Sequence, residues 1–178
     1  MRSLRPWQES DAGPVVSWTG EDERTFRLWC ADRFPHWPIS AEDLIAHYRE
    51  AGKRGDFFPM TMTENGVPAG SLILRYTDKE RTKLRFGFVI ADSAHRGEGL
   101  GHDLIRLALR HAFSQPGVEE VSLGVFEENT PAYCCYTSAG FHAAPSLPDS
   151  AYEVMGEVWP CRELLLMREE YEAGEKRP

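Results

Sequence analysis

The chain has 178 residues and a formal net charge of −8, from 20 Lys+Arg against 28 Asp+Glu. With 42% hydrophobic and 27% charged residues it has the make-up of a globular chain with a sizeable core, and is too apolar for a disordered one. A pI near 5.3 without a long basic run excludes a dedicated nucleic-acid binder, and the longest stretch free of polar side chains, Phe86–Ala91, is far short of the ~20 residues that a membrane helix needs.

Arg2 and Arg5 make a basic start, but no apolar segment follows them, so a secretory signal is not expected. A single domain over 1–178, in the cytoplasm and off the membrane, is the expectation. Cys30, Cys134, Cys135 and Cys161 form no C-x-x-C pair, which suits neither a disulfide framework nor a zinc site. The six histidines (His36, His47, His95, His102, His111 and His142) show no metal-ligand spacing either, so no metal is expected.

In chain order, Ser10 or Asp11 is placed to cap a short helix through Trp18. Ser40 is placed to cap Ala41–Ala51, with Asp43 closing an imperfect capping box and Gly52 at the end. The prolines of Phe34-Pro35-His36-Trp37-Pro38 exclude continuous helix, which predicts an irregular aromatic loop. Phe57–Thr63 and Val67–Tyr76 flank Asn65-Gly66, a strong hairpin cue, and Lys83–Ala91 is a third strand. Leu100, Leu104, Leu107, Ala108 and Ala112 then share one helical face, with Asp103 early and Arg106 and Arg110 later, as the helix dipole favours. Pro116-Gly117 stops that helix before a strand over Val118–Val125. Thr130 is predicted to cap the next helix, with Pro131 at its first position, and Gly140 to end it. Strands over Tyr152–Trp159 and Arg162–Arg168 complete the sheet, and a charged tail, Glu169–Pro178, is expected to fray. The order is α+β, with one right-handed βαβ crossover in a hairpin-rich sheet.

Arg96-Gly97-Glu98-Gly99-Leu100-Gly101 lies directly after a strand and directly before an amphipathic helix. Glycines let the backbone approach a ligand, and a helix start offers unpaired N–H groups at its positive end, so this is a phosphate site on physical grounds. A P-loop would need Gly-Lys-Ser/Thr where the chain has Gly101-His102-Asp103, and a Rossmann turn would need Gly or Ala where His102 stands.

What remains, Arg-x-x-Gly-x-Gly, resembles the pyrophosphate signature of the GCN5-related N-acetyltransferase (GNAT) superfamily. The stretch Asn129 to Phe141 is similar to that family's Asn-x-x-Ala-x-x-x-Tyr-x-x-x-Gly-Phe segment, through Asn129, Ala132, Tyr136, Gly140 and Phe141. The opening Leu4-Arg5-Pro6-Trp7 and Ser10-Asp11-Ala12 resemble the branch that contains ribosomal-protein N-terminal acetyltransferases.

The resemblance implies a mixed, mostly antiparallel sheet of about six or seven strands. It divides the chain into a helical acceptor-side region (1–56), a core sheet with the cofactor site (57–168) and the tail. It implies acetyl-CoA as cosubstrate and an amine as acceptor: a small molecule, a peptide N-terminus or a lysine. Arg96, Gly97, Glu98, Gly99, Leu100 and Gly101 would cradle the pyrophosphate, and Val89, Ile90 and Ala91 would pair with the pantetheine arm like an added strand. A backbone N–H there would polarise the thioester carbonyl, and Asn129 would sit where the central strands part. Tyr136 falls at the general-acid position, where a phenol of pKa ~10 gives its proton to a thiolate of pKa ~8.5.

No base is evident. Lys83–Ala91 holds no carboxylate, and Gly124 stands five residues before Asn129, where many N-terminal acetyltransferases have Glu. Glu127 and Glu128 are nearby candidates. Trp29, Phe34, Trp37 and Trp159 are candidates for an acceptor pocket, for which the acidic balance suits a cationic amine. Cys134 and Cys135 lack a nearby His, against a covalent route. A non-catalytic acyl-CoA-binding or sensor domain is the rival reading, and a homodimer is left open.

Overall fold

The structure is a computed structural model that describes residues 1–20 and 22–175. Seven strands form one sheet: β1 (Arg2–Pro6), β2 (Phe57–Glu64), β3 (Val67–Tyr76), β4 (Lys83–Ala91), β5 (Glu120–Phe126), β6 (Ser150–Val154) and β7 (Glu157–Met167). Their order is β1-β2-β3-β4-β5-β7-β6, and only β4 and β5 run parallel. Helices α1 (Ala12–Ser17), α2 (Glu23–Cys30) and α3 (Ala41–Gly52) separate β1 from β2. The crossover helix α4 (Leu100–Ser114) joins β4 to β5, α5 (Thr130–Ser138) follows β5, and α6 (Arg168–Glu175) ends the described chain.

The sheet buries both faces, and strand alternation decides which side chain goes where. Leu72, Leu74, Leu84, Phe86, Val121, Leu123, Leu164 and Leu166 meet Leu104, Ile105 and Ala108 of α4 on one face. Phe57 and Ile73 meet α1–α3 on the other, around Phe26, Leu44 and Tyr48. Trp159, Phe126 and Cys161 make a smaller core beneath the β6–β7 hairpin.

The cue at Asn65-Gly66 forms the β2–β3 turn, with both residues in the left-handed region (φ 52° and 87°). Ser40 caps α3 and Asp43 completes the box, its shorter carboxylate reaching the Ser40 N–H at 2.8 Å. Several expectations are corrected. Asp11 does not cap α1. Its carboxylate is buried beneath the sheet edge, held by Arg5 at 2.7 and 2.8 Å and by Thr61 at 2.8 Å. Asn129, not Thr130, caps α5, accepting from the Ala132 N–H. The last hairpin turns at Met155-Gly156 rather than around Pro160, because Met155 and Gly156 adopt positive φ while Pro160 fits within β7 opposite Ala151. Strand β1 escapes a pattern search because it is a five-residue edge strand without a fully buried residue and without alternation. The tail does not fray over Glu169–Glu175: Tyr171 stacks on Phe113 at 4.8 Å, and Glu170 holds His142. Residues 176–178 of that expectation lie outside the described residues. Among the described residues, no helix is long and apolar enough to cross a membrane.

Candidate active site

β4 and β5 pair over Lys83–Arg85 and Glu120–Ser122, and then separate. From Phe86 onward β4 is bonded only to β3, and from Leu123 onward β5 is bonded only to β7. The fork leaves one edge of β4 with its peptide groups free of a β5 partner. A bulge sharpens it: Ser71 pairs with Ile90 but Ile73 with Gly87, so β4 carries one extra residue, and Phe88 sits at φ 49°. A bulky side chain in the left-handed region is strained, and such strain persists only where the surroundings hold it. Here Trp29, Phe34, His47 and Tyr48 surround the Phe88 ring, the closest, Trp29, at 5.1 Å between centroids.

A cleft of about 950 Å³ follows the fork. Val89, Ile90 and Ala91 form its β4 wall, Arg96, Gly97, Gly99, Leu100 and Gly101 its mouth, and Asn129 and Tyr136 its α5 wall. Of the residues singled out for a cofactor, only Glu98 lies off the wall. It is exposed, and its carbonyl accepts from Arg2 at 3.2 Å.

The glycine turn fits a pyrophosphate on its own geometry. Gly97 and Gly99 have φ 86° and 76°, and a Cβ built on either meets nothing within 4 Å, so the turn is both left-handed and open. Gly99 is the N-cap of α4 and supplies no capping side chain, leaving the first helical N–H groups available to an anion. The carboxylate best placed to compete, Asp103, is drawn aside by Arg2 at 2.7 Å and Arg106 at 3.1 Å. The role of Arg2 is not evident from the motif, since it comes from β1 at the other end of the chain.

Tyr136 is 7% exposed, packs edge-on to Phe141 at 6.4 Å, and has no hydrogen-bond partner for its hydroxyl among the described residues. Burial, with a lesser push from Cys135, raises its pKa well above that of an ordinary phenol, which keeps it a donor throughout the neutral range. Burial likewise raises the Cys135 thiol, so this cleft cysteine is held protonated. No group of three or more potential metal ligands occurs among the described residues.

The base candidates are already engaged. Glu127 is exposed beside Arg162, and Glu128, on the cleft wall, is held by Arg24 at 2.7 Å. What occupies the place above Gly124 is a pair that the motifs miss. Arg85 of β4 donates to Glu163 of β7 at 2.7 and 3.1 Å, passing over the glycine between them. A Cβ on Gly124 would lie 2.8 Å from an Arg85 nitrogen and 3.3 Å from a Glu163 oxygen, so glycine makes room for the bridge. One signal for it does exist in the sequence: Glu163 stands between Cys161 and Leu165 at inward positions of a strand.

Of the aromatic candidates, Trp29 lines the cleft, whereas Phe34 and Trp159 are buried in two separate clusters and Trp37 packs against the one that holds Phe34. The irregular loop closes the core rather than opening a pocket. Trp18, Leu28, Phe126 and Tyr152 supply the apolar wall instead.

A forked sheet with an uncapped glycine turn at its mouth defines an acyltransferase type of cleft. The family profile described as "Acetyltransferase (GNAT) domain" matches residues 3–142, and the chain belongs to that family. Mycothiol acetyltransferase from Corynebacterium glutamicum (strain R) is 46% identical over 54 residues, which span 30% of this chain and 18% of that protein's length. The spermidine N-acetyltransferase from Vibrio cholerae, solved with CoA and spermine, superposes with a TM-score of 0.78 at 17% identity, covering 96% of this chain and 98% of that one. Aminoglycoside acetyltransferase AAC(6')-Ib, solved with coenzyme A, gives 0.75 at 17% identity, over 99% and 100%. At such identities the likeness speaks for the fold.

Proposed function

We propose that the chain is a single-domain, cytoplasmic N-acetyltransferase that moves the acetyl group of acetyl-CoA directly to an amine. The observation that carries this is the β4–β5 fork, with an open, uncapped phosphate turn at its mouth and a buried, unpartnered phenol in its wall.

Bound acetyl-CoA supplies a thioester activated for attack by an amine. The backbone of Arg96–Gly101 holds the diphosphate by N–H groups and the helix dipole. The free edge of Val89–Ala91 orients the pantetheine arm by main-chain hydrogen bonds, and Asn129, through its cap on α5, sets the opposite wall. An N–H at the Phe88 bulge is fixed before reaction and stabilises the carbonyl oxygen as it gains charge. Tyr136 donates toward the sulfur as the carbon–sulfur bond breaks. The walls of Trp18, Leu28 and Trp29 exclude water from the reacting centre.

Among the described residues no carboxylate lining the cleft is free of a partner, and this favours one second reading, a sensor that binds acyl-CoA without turnover. Membership in the ribosomal-protein branch rests on Leu4–Trp7 and Ser10–Ala12 alone, and Gly124 speaks against it.

Two measurements test the proposal. Acetyl-CoA at a hundred times its dissociation constant is expected to add ~2.7 kcal/mol to stability, while ATP and NAD add nothing. Free CoA is expected to appear when an amine panel is supplied. A thermal shift with NAD or ATP but none with acetyl-CoA overturns the cofactor assignment; a shift without CoA release on any amine favours the sensor.

A further inference from the structure

Two positive-φ glycines give the turn before α4 its shape, and the same freedom leaves that shape loosely determined from within. The Glu98 N–H meets the His95 carbonyl at a long 3.4 Å, and the N–H groups of Gly97 and Gly99 meet no backbone carbonyl among the described residues. A site that binds through such N–H groups gains when they are aimed before the ligand arrives. The side chain that aims them comes from the outer edge of the sheet.

Arg2 stands two residues before Leu4 on β1, on the face that packs against the α4 side of the core. Directly opposite it in the β1–β2 register is Glu64, whose carboxylate takes the Arg2 Nε at 2.9 Å and fixes the direction of the side chain. Nη1 then reaches the Asp103 carboxylate at 2.7 Å and the Glu98 carbonyl at 3.2 Å. In a planar trans peptide the carbonyl and the following N–H point opposite ways. Drawing the Glu98 carbonyl toward β1 therefore turns the Gly99 N–H away from β1. In the order β1-β2-β3-β4-β5, away from β1 is toward the fork, and Gly99 lines the cleft mouth whereas Glu98 does not. The second contact removes an obstacle. Asp103 is the acidic residue in the first turn of α4, and its pairing with Arg2 neutralises an anion that would otherwise face the diphosphate.

We propose that Arg2 is a positioning residue for the cofactor diphosphate, acting through the Glu98–Gly99 peptide and through Asp103. This rests on the acetyltransferase reading and adds to the site a residue 94 positions before the turn it shapes. The task suits a guanidinium and not an ammonium. Nε is committed to Glu64 while Nη1 serves the turn and Asp103, so one rigid plane holds strand, turn and helix at a set angle. The role carries a signature that general support of the fold does not. Loss of Arg2 weakens the grip on the part of the donor that bears the diphosphate. It leaves untouched the pantetheine arm along Val89–Ala91 and the chemistry at Tyr136, which lie on other elements of the cleft.

The test compares acetyl-CoA, acetyl-dephospho-CoA and acetyl-pantetheine as donors to the best acceptor of an amine panel, in the full chain and in Arg2→Gln and Arg2→Lys. The first two donors carry the diphosphate and the third lacks it. In Arg2→Gln, KM for each diphosphate donor is expected to rise about tenfold with kcat within about twofold, while kcat/KM for acetyl-pantetheine stays within about twofold of wild type. Arg2→Lys keeps the charge and a partner for Glu64 but not the fork, so it serves if Arg2→Gln fails to fold. It is expected to remain at least about threefold weaker than wild type on both diphosphate donors. Calorimetry with CoA, dephospho-CoA and pantetheine reads the same pattern without turnover. Equal losses on all three donors assign Arg2 to the fold alone and overturn the proposal. A loss confined to acetyl-CoA places Arg2 at the 3′-phosphate and overturns it too, as do unchanged KM values in Arg2→Gln or full recovery in Arg2→Lys. Each of these results leaves the acetyltransferase reading standing, which fails instead if the wild-type chain does not bind acetyl-CoA.

Discussion

The two halves of the cleft are built in opposite ways. The cofactor half is made by consecutive backbone, in the β4 edge, the glycine turn and the first turns of α4 and α5. The other half is lined by side chains from α2, β4, β5, β6 and β7 and by Trp18 just after α1, brought together across the sheet. Backbone groups bind any diphosphate-bearing arm of the right shape, whereas side chains from many elements are free to vary and set which amine is accepted. The Arg85–Glu163 bridge over Gly124 joins the two, at the point where the strands part.

The largest effect is expected from the cofactor half. Gly101→Glu adds a Cβ only 3.6 Å from the Cys135 sulfur, an ordinary contact, and Gly101 lies in the helix, so the fold is retained. The added carboxylate meets the diphosphate at the helix start, and calorimetry is expected to register a loss of acetyl-CoA affinity of about a thousandfold or more, ~4 kcal/mol. Near-normal affinity in the folded variant would place the diphosphate elsewhere.

Next comes the wall shared by both halves. Tyr136→Phe removes one hydroxyl from a packed ring, and kcat and kcat/KM are expected to fall together by ~10²–10⁴ with acetyl-CoA affinity within a few fold. Tyr133→Phe is the control, since Tyr133 is turned toward Arg162, 5.2 Å from its ring. Wild-type turnover in Tyr136→Phe, where chemistry limits the rate, would remove the acid from the mechanism.

Gly124→Ala probes the junction. Its Cβ would stand 2.8 Å from Arg85 and 2.9 Å from the Cys161 sulfur. Overpacking of this kind costs ~1–3 kcal/mol, read as a lower urea midpoint, and displacement of Arg85 is expected to raise KM for the acceptor more than for acetyl-CoA. An equal rise in both would mean that the bridge does not belong to the acceptor half.

The smallest effect concerns how the acceptor-side helices are tied down. Burial pushes the Asp11 carboxyl up, but hydrogen bonds from Arg5, the Gln8 N–H and Thr61 outweigh it, and its pKa lies below the ordinary value. A depressed carboxylate contributes stability above its unfolded pKa of ~3.9, lost as pH falls through the folded value. Asp11→Asn is therefore expected to cost ~1–3 kcal/mol at pH 7, with the difference from wild type shrinking below about pH 4 in urea titrations. A difference independent of pH would assign the effect to packing.

How far the sequence could be read follows the same division. The Arg96–Gly101 turn, the Asn129–Phe141 segment and the Asn65-Gly66 hairpin were legible because each is a run of neighbouring residues whose backbone preference is local. Phe34 and Trp159 were legible as aromatic but not as buried, because burial depends on what packs over them. Arg85 and Glu163 lie 78 residues apart, and although the inward position of Glu163 on its strand calls for a partner, nothing local names Arg85. Arg2 reaches Asp103 from an edge strand whose short, exposed pattern hides it.

By itself, then, the sequence determined the α+β order, the crossover, the glycine turn before α4 and the place of Tyr136 on α5, since these rest on turn chemistry, capping and periodicity within short windows. The tertiary structure alone decided which charges in the cleft are paired, and with what. An overall charge of −8 pointed toward a cationic acceptor, while the pairing of Glu128 with Arg24 and of Glu163 with Arg85 shows that the carboxylates in and just behind the cleft wall are already engaged among the described residues. Net charge is a sum over the chain, but a site answers to the few groups within a Debye length, and only folding chooses them.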